Sequence, residues 1–302
     1  MTIEELSITG FNHKLENSTL NYPQSANPNA PKFFFNMLSI ASRGGSKTYS
    51  VVKLIKDYEE HKLIDNDKVV HPLRTFLISP TVEANPIFKN LNSLNPDDMY
   101  NNYTDEILQS IFDDIEAIKE EIMYYKEYEN AYKILDKSPK EKIPQLLKKK
   151  PEIFDILQVH NFIHPDELPP LRYKVAPVNI IVLDDLLGSD CFNRKSKSLF
   201  QSYLIKNRHF MVSFCILVQN LKSVPKPIRS NCNLYFLGKF ASKKVILDDL
   251  YEEVSNVLTE EQFEELYTFA TAEKYGSLVI DNTGNEKRFY KGFDRQLVFT
   301  AE

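Results

Sequence analysis

Short apolar runs that stop abruptly at polar or charged residues alternate, along most of this chain, with stretches of helical periodicity. Phe33–Ile40 is apolar almost throughout and empties into Ala41-Ser-Arg-Gly-Gly-Ser-Lys47-Thr48. From Thr48 to His61, Val51, Leu54, Ile55 and Tyr58 recur at helical spacing. Arg74–Ser79 reads as a second buried strand, stopped by Pro80. Val178–Asp185 is the strongest strand of the chain, apolar enough to be a central parallel strand. A helical pattern through Leu199, Phe200, Tyr203 and Leu204 leads to the strand Met211–Val218, which ends at Gln219. A proline-bearing loop, Val224–Asn231, precedes a fifth strand at Asn233–Leu237. Alternation of this kind predicts an α/β fold: a mostly parallel sheet with helices on both faces.

Three regions depart from the alternation. Residues 1–31 read as an arm with little regular structure, ending in Asn-Pro-Asn-Ala-Pro. A charged excursion over about 90–175 contains a long amphipathic helix within Thr104–Leu135. Leu108, Ile111, Ile115, Ile118, Ile122, Tyr125 and Tyr132 form its apolar stripe, expected to pack on the main domain. Thr104 is its expected N-cap, Asp105 and Glu106 lie in its first turn, and Pro139 stops it. The C-terminal part holds helical patterns over Lys244–Leu258 and Glu260–Thr271, the second opened by a Thr259…Gln262 capping box. Ser277–Asp281 and Arg288–Tyr290 flank Asn282-Thr-Gly-Asn285 and read as a closing hairpin.

The junction after Phe33–Ile40 has the layout of a phosphate cradle: strand, glycine-bearing loop, then helix. Backbone N–H groups of Ser42, Arg43, Gly44, Gly45 and Ser46 can wrap phosphates, aided by the positive end of the helix. Lys47 would reach the β- and γ-phosphates of ATP, and the Thr48 hydroxyl would ligate Mg²⁺. Compared with the usual G-x-x-x-x-G-K-[ST] pattern, Ala41 and Ser46 stand where glycines are expected, while Gly44 and Gly45 sit inside the loop.

The second strand of interest, Ile181-Val-Leu-Asp184-Asp185, supplies what such a loop requires. Asp184, at the strand's C-terminal edge, can hold Mg²⁺ through water, and Asp185 can polarise an attacking water. Both belong at the sheet edge where ligands of open α/β folds bind. Gln219, ending another apolar strand, either senses the γ-phosphate or orients water, or is an ordinary strand-end residue. Arg229 is a candidate arginine finger or γ-phosphate sensor, with a surface role or a DNA-phosphate contact as alternatives. Arg43 can act on the γ-phosphate from within the loop.

Composition sets the outer limits. At 302 residues, with 42% hydrophobic and 26% charged positions, the chain can bury a large globular core. No apolar run approaches the roughly 20 residues of a membrane span, and Met-Thr-Ile-Glu-Glu does not read as a signal peptide. Cys191, Cys215 and Cys232 are odd in number and lack metal spacing, which favours a reducing setting. His160 and His164 form an i, i+4 pair followed by Pro165, with no third zinc ligand in view. The net charge of −5 does not advertise nucleic-acid binding, but local patches steer a polyanion rather than the total.

The string Asn207-Arg208-His209-Phe-Met-Val-Ser-Phe-Cys-Ile-Leu-Val-Gln219, continued by Pro225-Lys-Pro-Ile-Arg229-Ser-Asn231, resembles the signature of poxvirus-type genome-packaging ATPases. These belong to the FtsK–HerA superfamily and occur in large DNA viruses and virophages. In that family an Arg-His pair precedes a strand ending in Gln, and a P-x-x-I-R-x-N loop follows. Thr75-Phe-Leu-Ile-Ser-Pro-Thr81 and Ile180–Asp185 are similar to the family's second strand and acidic motif, so the resemblance spans roughly 33–240. It implies a RecA/ASCE-like P-loop NTPase with an additional strand between the two nucleotide motifs; the charged excursion, read as a helical insertion, breaks the resemblance, and the C-terminal helices and hairpin extend beyond it. It also implies a homo-oligomeric ring (pentamer or hexamer), and ATP-driven movement of double-stranded DNA into a preformed capsid at a capsid or portal-vertex protein. The setting would be the virion or a viral factory in the host-cell cytoplasm.

The domain reading that follows is an arm over 1–31, an ATPase core over 32–240 interrupted by the charged insertion, and C-terminal helices and hairpin over 241–302. Arg194, Lys195 and Lys197, with Lys206, Arg208 and His209 beyond them, either face a DNA channel or form a solvated helix end. Two rival functions fit the same motifs. One is a terminase-type packaging ATPase, which would add a nuclease domain. The other is a non-catalytic nucleotide-binding scaffold with a degenerate phosphate loop.

Overall fold

A computed structural model describes residues 21–82, 84–186, 188–192, 198–240, 250–253 and 257–299. Its centre is a nine-stranded sheet built from β2 (Asn36–Ile40), β5 (Leu73–Ile78), β6 (Leu94–Tyr100), β7 (Val178–Asp184), β8 (Val212–Val218), β9 (Leu234–Gly238), β10 (Ser277–Asp281), β11 (Arg288–Lys291) and β12 (Arg295–Leu297). The order is β12-β11-β10-β9-β2-β8-β7-β5-β6. From β9 to β6 every neighbouring pair is parallel; from β9 to β12 every pair is antiparallel. A small second sheet joins β1 (Gln24–Ser25), β3 (Leu63–Ile64) and β4 (Val70–His71).

The five expected strands are all present, and each is buried along most or all of its length because both faces are covered. Alternation along each strand sends side chains to opposite sides. Met37, Leu77, Ile180, Val182, Cys215 and Leu217 pack with Val51, Leu54, Ile55 and Tyr58 of α1 (Lys47–Glu60). Leu38, Ile40, Phe76, Ile78, Ile181, Leu183, Phe214 and Ile216 pack with helices of the other face. Those helices are the first half of α2 (Asp105–Asp136), together with α5 (Leu199–Lys206) and α7 (Glu260–Ala270).

Thr104 caps α2 as expected, its hydroxyl accepting from the Ile107 N–H at 3.1 Å. The stripe divides in two. Leu108, Ile111, Phe112 and Ile115 enter the main core, where Phe112 stacks on Tyr203 with ring centroids 3.6 Å apart. Farther along, Tyr128 and Ala131 instead close a separate small core with Ile153 and Leu157 of α4 (Pro151–Gln158), which follows α3 (Ile143–Lys149). A helix of 32 residues is about 48 Å long at 1.5 Å per residue, so its far half overhangs the sheet and needs its own partner.

Strand β6 lies inside the segment that reads from sequence as a charged excursion. Arg74 of β5, side chain 2% exposed, anchors it: Nη2 and Nε donate to Asp98 at 2.6 and 3.0 Å, and Asp114 of α2 lies 2.6 Å from Nη1. The guanidinium also sits 4.2 Å from the Phe76 ring centre. At the other edge, Thr259 and Gln262 form the expected capping box of α7. The hairpin β10–β11 pairs Asp281 with Arg288 as its turn residues require, and it continues the main sheet by pairing with β9. The reading of Lys244–Leu258 as a helix falls mostly outside the described residues.

Candidate functional site

The site is built where β2, β8 and β7 end side by side. Strand β8 separates the strand that delivers the phosphate loop from the strand that delivers the acids. A parallel sheet with that inserted strand, a glycine-bearing loop between β2 and α1, and acids on the strand two places away leaves one description. The fold is that of a P-loop NTPase.

The loop has solved the problem posed by its missing glycines. Ala41, fully buried, packs its Cβ into space that two glycines leave open: a Cβ on Gly45 would lie 2.9 Å from it and one on Gly238 would lie 2.5 Å from it. The close approach permitted in other loops by a glycine at the first position is here permitted by Gly45 later in the loop and Gly238 at the end of β9. Gly44 takes φ +74° with open space around it, so its role is conformational. Ser46, at the other substituted position, adopts a left-handed φ of 65° and gives α1 no side-chain cap. The first amides of α1 therefore have no side-chain acceptor at Ser46, the arrangement that an anion at a helix N-terminus requires. The Ser46 hydroxyl donates instead to the Tyr275 carbonyl at 3.4 Å, and the Ser42 hydroxyl to the Lys239 carbonyl at 3.3 Å.

Lys47 folds back over the loop, donating to the carbonyls of Ala41 at 2.8 Å and Ser42 at 3.2 Å. Burial pulls its pKa below the ordinary lysine value, while the charges of Asp184 and Asp185 oppose that shift. Asp184 is only 6% exposed, and the Thr48 side chain beside it favours its charged form. Burial, followed by the neighbouring Asp185 charge, pushes Asp184 up to about 6, against the pull of Lys47 and Thr48. An ammonium, a hydroxyl and a pair of carboxylates from opposite halves of the sequence are thus one electrostatic unit. Thr48 and Asp184 offer the hard oxygen donors that suit Mg²⁺, one at the start of α1 and the other at the end of β7.

Asp185 leaves the strand in a left-handed conformation, φ 54°, which Asp tolerates better than most residues. Its Oδ1 accepts from Gln219 Nε2 at 3.1 Å. Gln219, directly after β8, thereby touches the acidic motif, and both side chains are exposed at the sheet edge. Arg43 is exposed in the loop, with its position open to solvent.

Arg229 stands apart. It closes α6 (Lys226–Arg229) and lines a cleft of about 520 Å³ with Gln201, Lys222 and Pro225. Four residues on, Asn233 pairs with Asn36 at the beginning of β2, whereas the phosphate loop leaves the other end of that strand. The structure thus does not join Arg229 to the loop of its own chain, although its Nε is buried without a hydrogen-bond partner. Arg194, Lys195 and Lys197 lie outside the described residues. Arg208 and His209 are exposed, but Asn207 between them and α5 is buried, donating to the Asn36 side chain at 3.1 Å. Sequence reasoning missed Gly238 and Tyr275. Gly238 is an inconspicuous strand-end glycine, and Tyr275 carries no motif.

No protein-family model and no curated protein matches the chain. Among solved structures it is similar to the genome packaging NTPase B204 from Sulfolobus turreted icosahedral virus 2 in complex with AMP. That likeness has 9% identity and a TM-score of 0.46, covering 85% of this chain and 96% of that one. The DNA-packaging ATPase B204 from Sulfolobus turreted icosahedral virus is similar at 10% identity and TM-score 0.42, covering 85% and 97%. The cytoplasmic domain of the type VII secretion ATPase EccC from Thermomonospora curvata is similar at 12% identity and TM-score 0.38, covering 85% of this chain and 25% of that one.

Proposed function

We propose that the protein is an ATP-hydrolysing motor that translocates double-stranded viral DNA into a preformed capsid, working as a homo-oligomeric ring. One observation carries the ATPase half of this reading: Lys47, Thr48, Asp184 and Asp185 interact electrostatically at the edge of parallel strands, beside a loop whose helix lacks a side-chain cap. The motor half rests on the Arg208-His209…Gln219…Ile228-Arg229-Ser-Asn231 run and the resemblance it supports.

In this reading the loop amides and Lys47 bind the β- and γ-phosphates, Lys47 exchanging its carbonyl partners for phosphate oxygens. Thr48 and Asp184 would hold Mg²⁺, which when bound neutralises phosphate charge. Asp185 accepts a hydrogen bond from the attacking water, and Gln219 fixes the Asp185 carboxylate through the contact at 3.1 Å. Arg229, held away from its own loop, serves the site of a neighbouring subunit, while Arg194, Lys195 and Lys197 contact DNA phosphates.

ATP turnover, measured with and without double-stranded DNA, tests the reading. Wild type is expected to hydrolyse ATP, and Lys47→Ala or Asp185→Asn to abolish turnover with the fold intact. No hydrolysis by the wild type, even assembled and with DNA, would favour the scaffold reading instead. DNA cleavage with Mg²⁺ or Mn²⁺ would favour the terminase type. Recovery of activity on mixing Arg229→Ala with Lys47→Ala subunits would support a shared site.

A further inference from the structure

The nucleotide's orientation follows from the order of the strands. Asp184, Asp185 and Gln219 lie on the β8–β7 flank of β2, so the metal-and-water end of a bound triphosphate faces that side. The nucleoside must then leave across the opposite flank, where β9 and β10 stand. On that flank the turn between α7 and β10 meets the phosphate loop directly, through the Ser46 hydroxyl and the Tyr275 carbonyl at 3.4 Å. We infer that Tyr275 is the nucleobase platform of this site, its ring stacking on the base of the bound nucleotide. This inference rests on the nucleotide-binding reading above.

The turn is built to hold a ring in the open. Tyr275 has a left-handed φ of 69°, a conformation that costs a tyrosine about 1–2 kcal/mol and is rarely kept without cause. Gly276 lets the turn close tightly: its N–H donates to the Glu273 carbonyl at 3.0 Å, and a Cβ there would lie 2.4 Å from the Ala270 carbonyl oxygen. The Tyr275 ring nevertheless buries little of itself, remaining 59% exposed, and the Lys274 ammonium lies 5.0 Å from its centre. A cleft of about 180 Å³ opens beside it, lined by Ser277, Lys291, Asp294 and Arg295, whose donors and acceptors can meet the edge of a base. Asp294 also reaches Lys53 of α1 at 3.8 Å, so the same wall is tied to the helix that carries Lys47. An exposed aromatic face beside polar edge groups is what a flat, edge-polar heterocycle needs, and stacking tolerates any base.

The test separates the base from the phosphates by comparing binding of ATP and of inorganic tripolyphosphate in the presence of Mg²⁺. Removing the ring in Tyr275→Ala is expected to weaken ATP on the order of 10-fold or more while leaving tripolyphosphate unchanged. Tyr275→Asn, which suits the left-handed backbone, should behave in the same way, and Tyr275→Phe should keep wild-type ATP affinity. Thermal unfolding of each variant checks that the turn survives. If ATP affinity is unchanged in both ring-less variants while Lys47→Ala loses both ligands, the phosphate site stands and the base platform is refuted. A loss confined to Tyr49→Ala, the exposed aromatic on α1, would likewise overturn the assignment. If the wild type binds neither ligand, the nucleotide reading fails and takes this inference with it.

Discussion

Gln219 donates through Nε2 to Asp185 Oδ1 at 3.1 Å, joining the end of β8 to the residue that follows β7. The contact makes a paired unit of residues 34 positions apart. Replacing Gln219 by Ala is expected to lower kcat for ATP about 10- to 100-fold with KM little changed, because a positioning group acts on the chemical step. Asp185→Asn should leave no turnover in the steady state, and in single-turnover measurements of any residual cleavage the double variant should lose little beyond Asp185→Asn alone. Additive effects in the double variant would show that the two side chains work independently.

Ala41 occupies space that Gly45 and Gly238 vacate. Gly238→Ala would force its Cβ to 2.5 Å from the Ala41 Cβ and 3.3 Å from the Gly45 carbonyl oxygen. Overpacking of this kind is expected to lower stability by about 1–3 kcal/mol, read as a shift of the denaturant midpoint. Adding Ala41→Gly should recover much of the loss. A double variant no more stable than Gly238→Ala would mean that the conflict lies elsewhere.

In magnesium-free buffer the site should be less stable at neutral than at mildly acidic pH. Burial and the Asp185 charge hold Asp184 up to about 6 in the folded protein, whereas an unfolded aspartate titrates near about 3.9. Below about pH 4 both states carry the proton; between about 4 and 6 the unfolded chain releases it first, so stability falls as pH rises, by about 3 kcal/mol in total. Asp184→Asn cannot ionise and should lack this component of the slope. Identical pH dependence of unfolding in wild type and variant would contradict it.

Arg74 holds β5, β6 and α2 together through Asp98 and Asp114. Its removal leaves Asp98, side chain 2% exposed, without its bidentate partner and held, among the described residues, only by Arg172 at 3.5 Å and the Asn95 amide at 3.2 Å. Arg74→Ala is therefore expected to cost about 3–5 kcal/mol, and Arg74→Lys to recover only part because it cannot donate in bidentate fashion. A loss below about 1 kcal/mol by chemical denaturation would show that the network is dispensable.

The legible parts of this chain are those that local physics writes into composition. Buried parallel strands appear as apolar runs, so the ends carrying Lys47, Asp184 and Gln219 stand out, and the caps at Thr104 and Thr259 announce themselves in the same way. Strand β6 was hidden because Leu-Asn-Pro-Asp-Asp-Met-Tyr is an edge strand: it pairs on one side with an irregular register and tolerates Pro96. The short β12 is exposed and has no pattern to show. The hairpin was visible, but its seat against β9 depends on partners distant in sequence. Gly238 and Tyr275 were illegible for the same reason, since each acquires meaning only from a neighbour about 200 residues away (Ala41 for one, Ser46 for the other).

The convergence of Lys47 with Thr48 and Asp184 on one triphosphate is tested most directly by a crystal structure with Mg²⁺ and a non-hydrolysable ATP analogue. The account predicts that Lys47 Nζ leaves the carbonyls of Ala41 and Ser42 for the β- and γ-phosphates, with the cation between Thr48 and Asp184. A nucleotide bound elsewhere, with Lys47 still on those carbonyls, would contradict it.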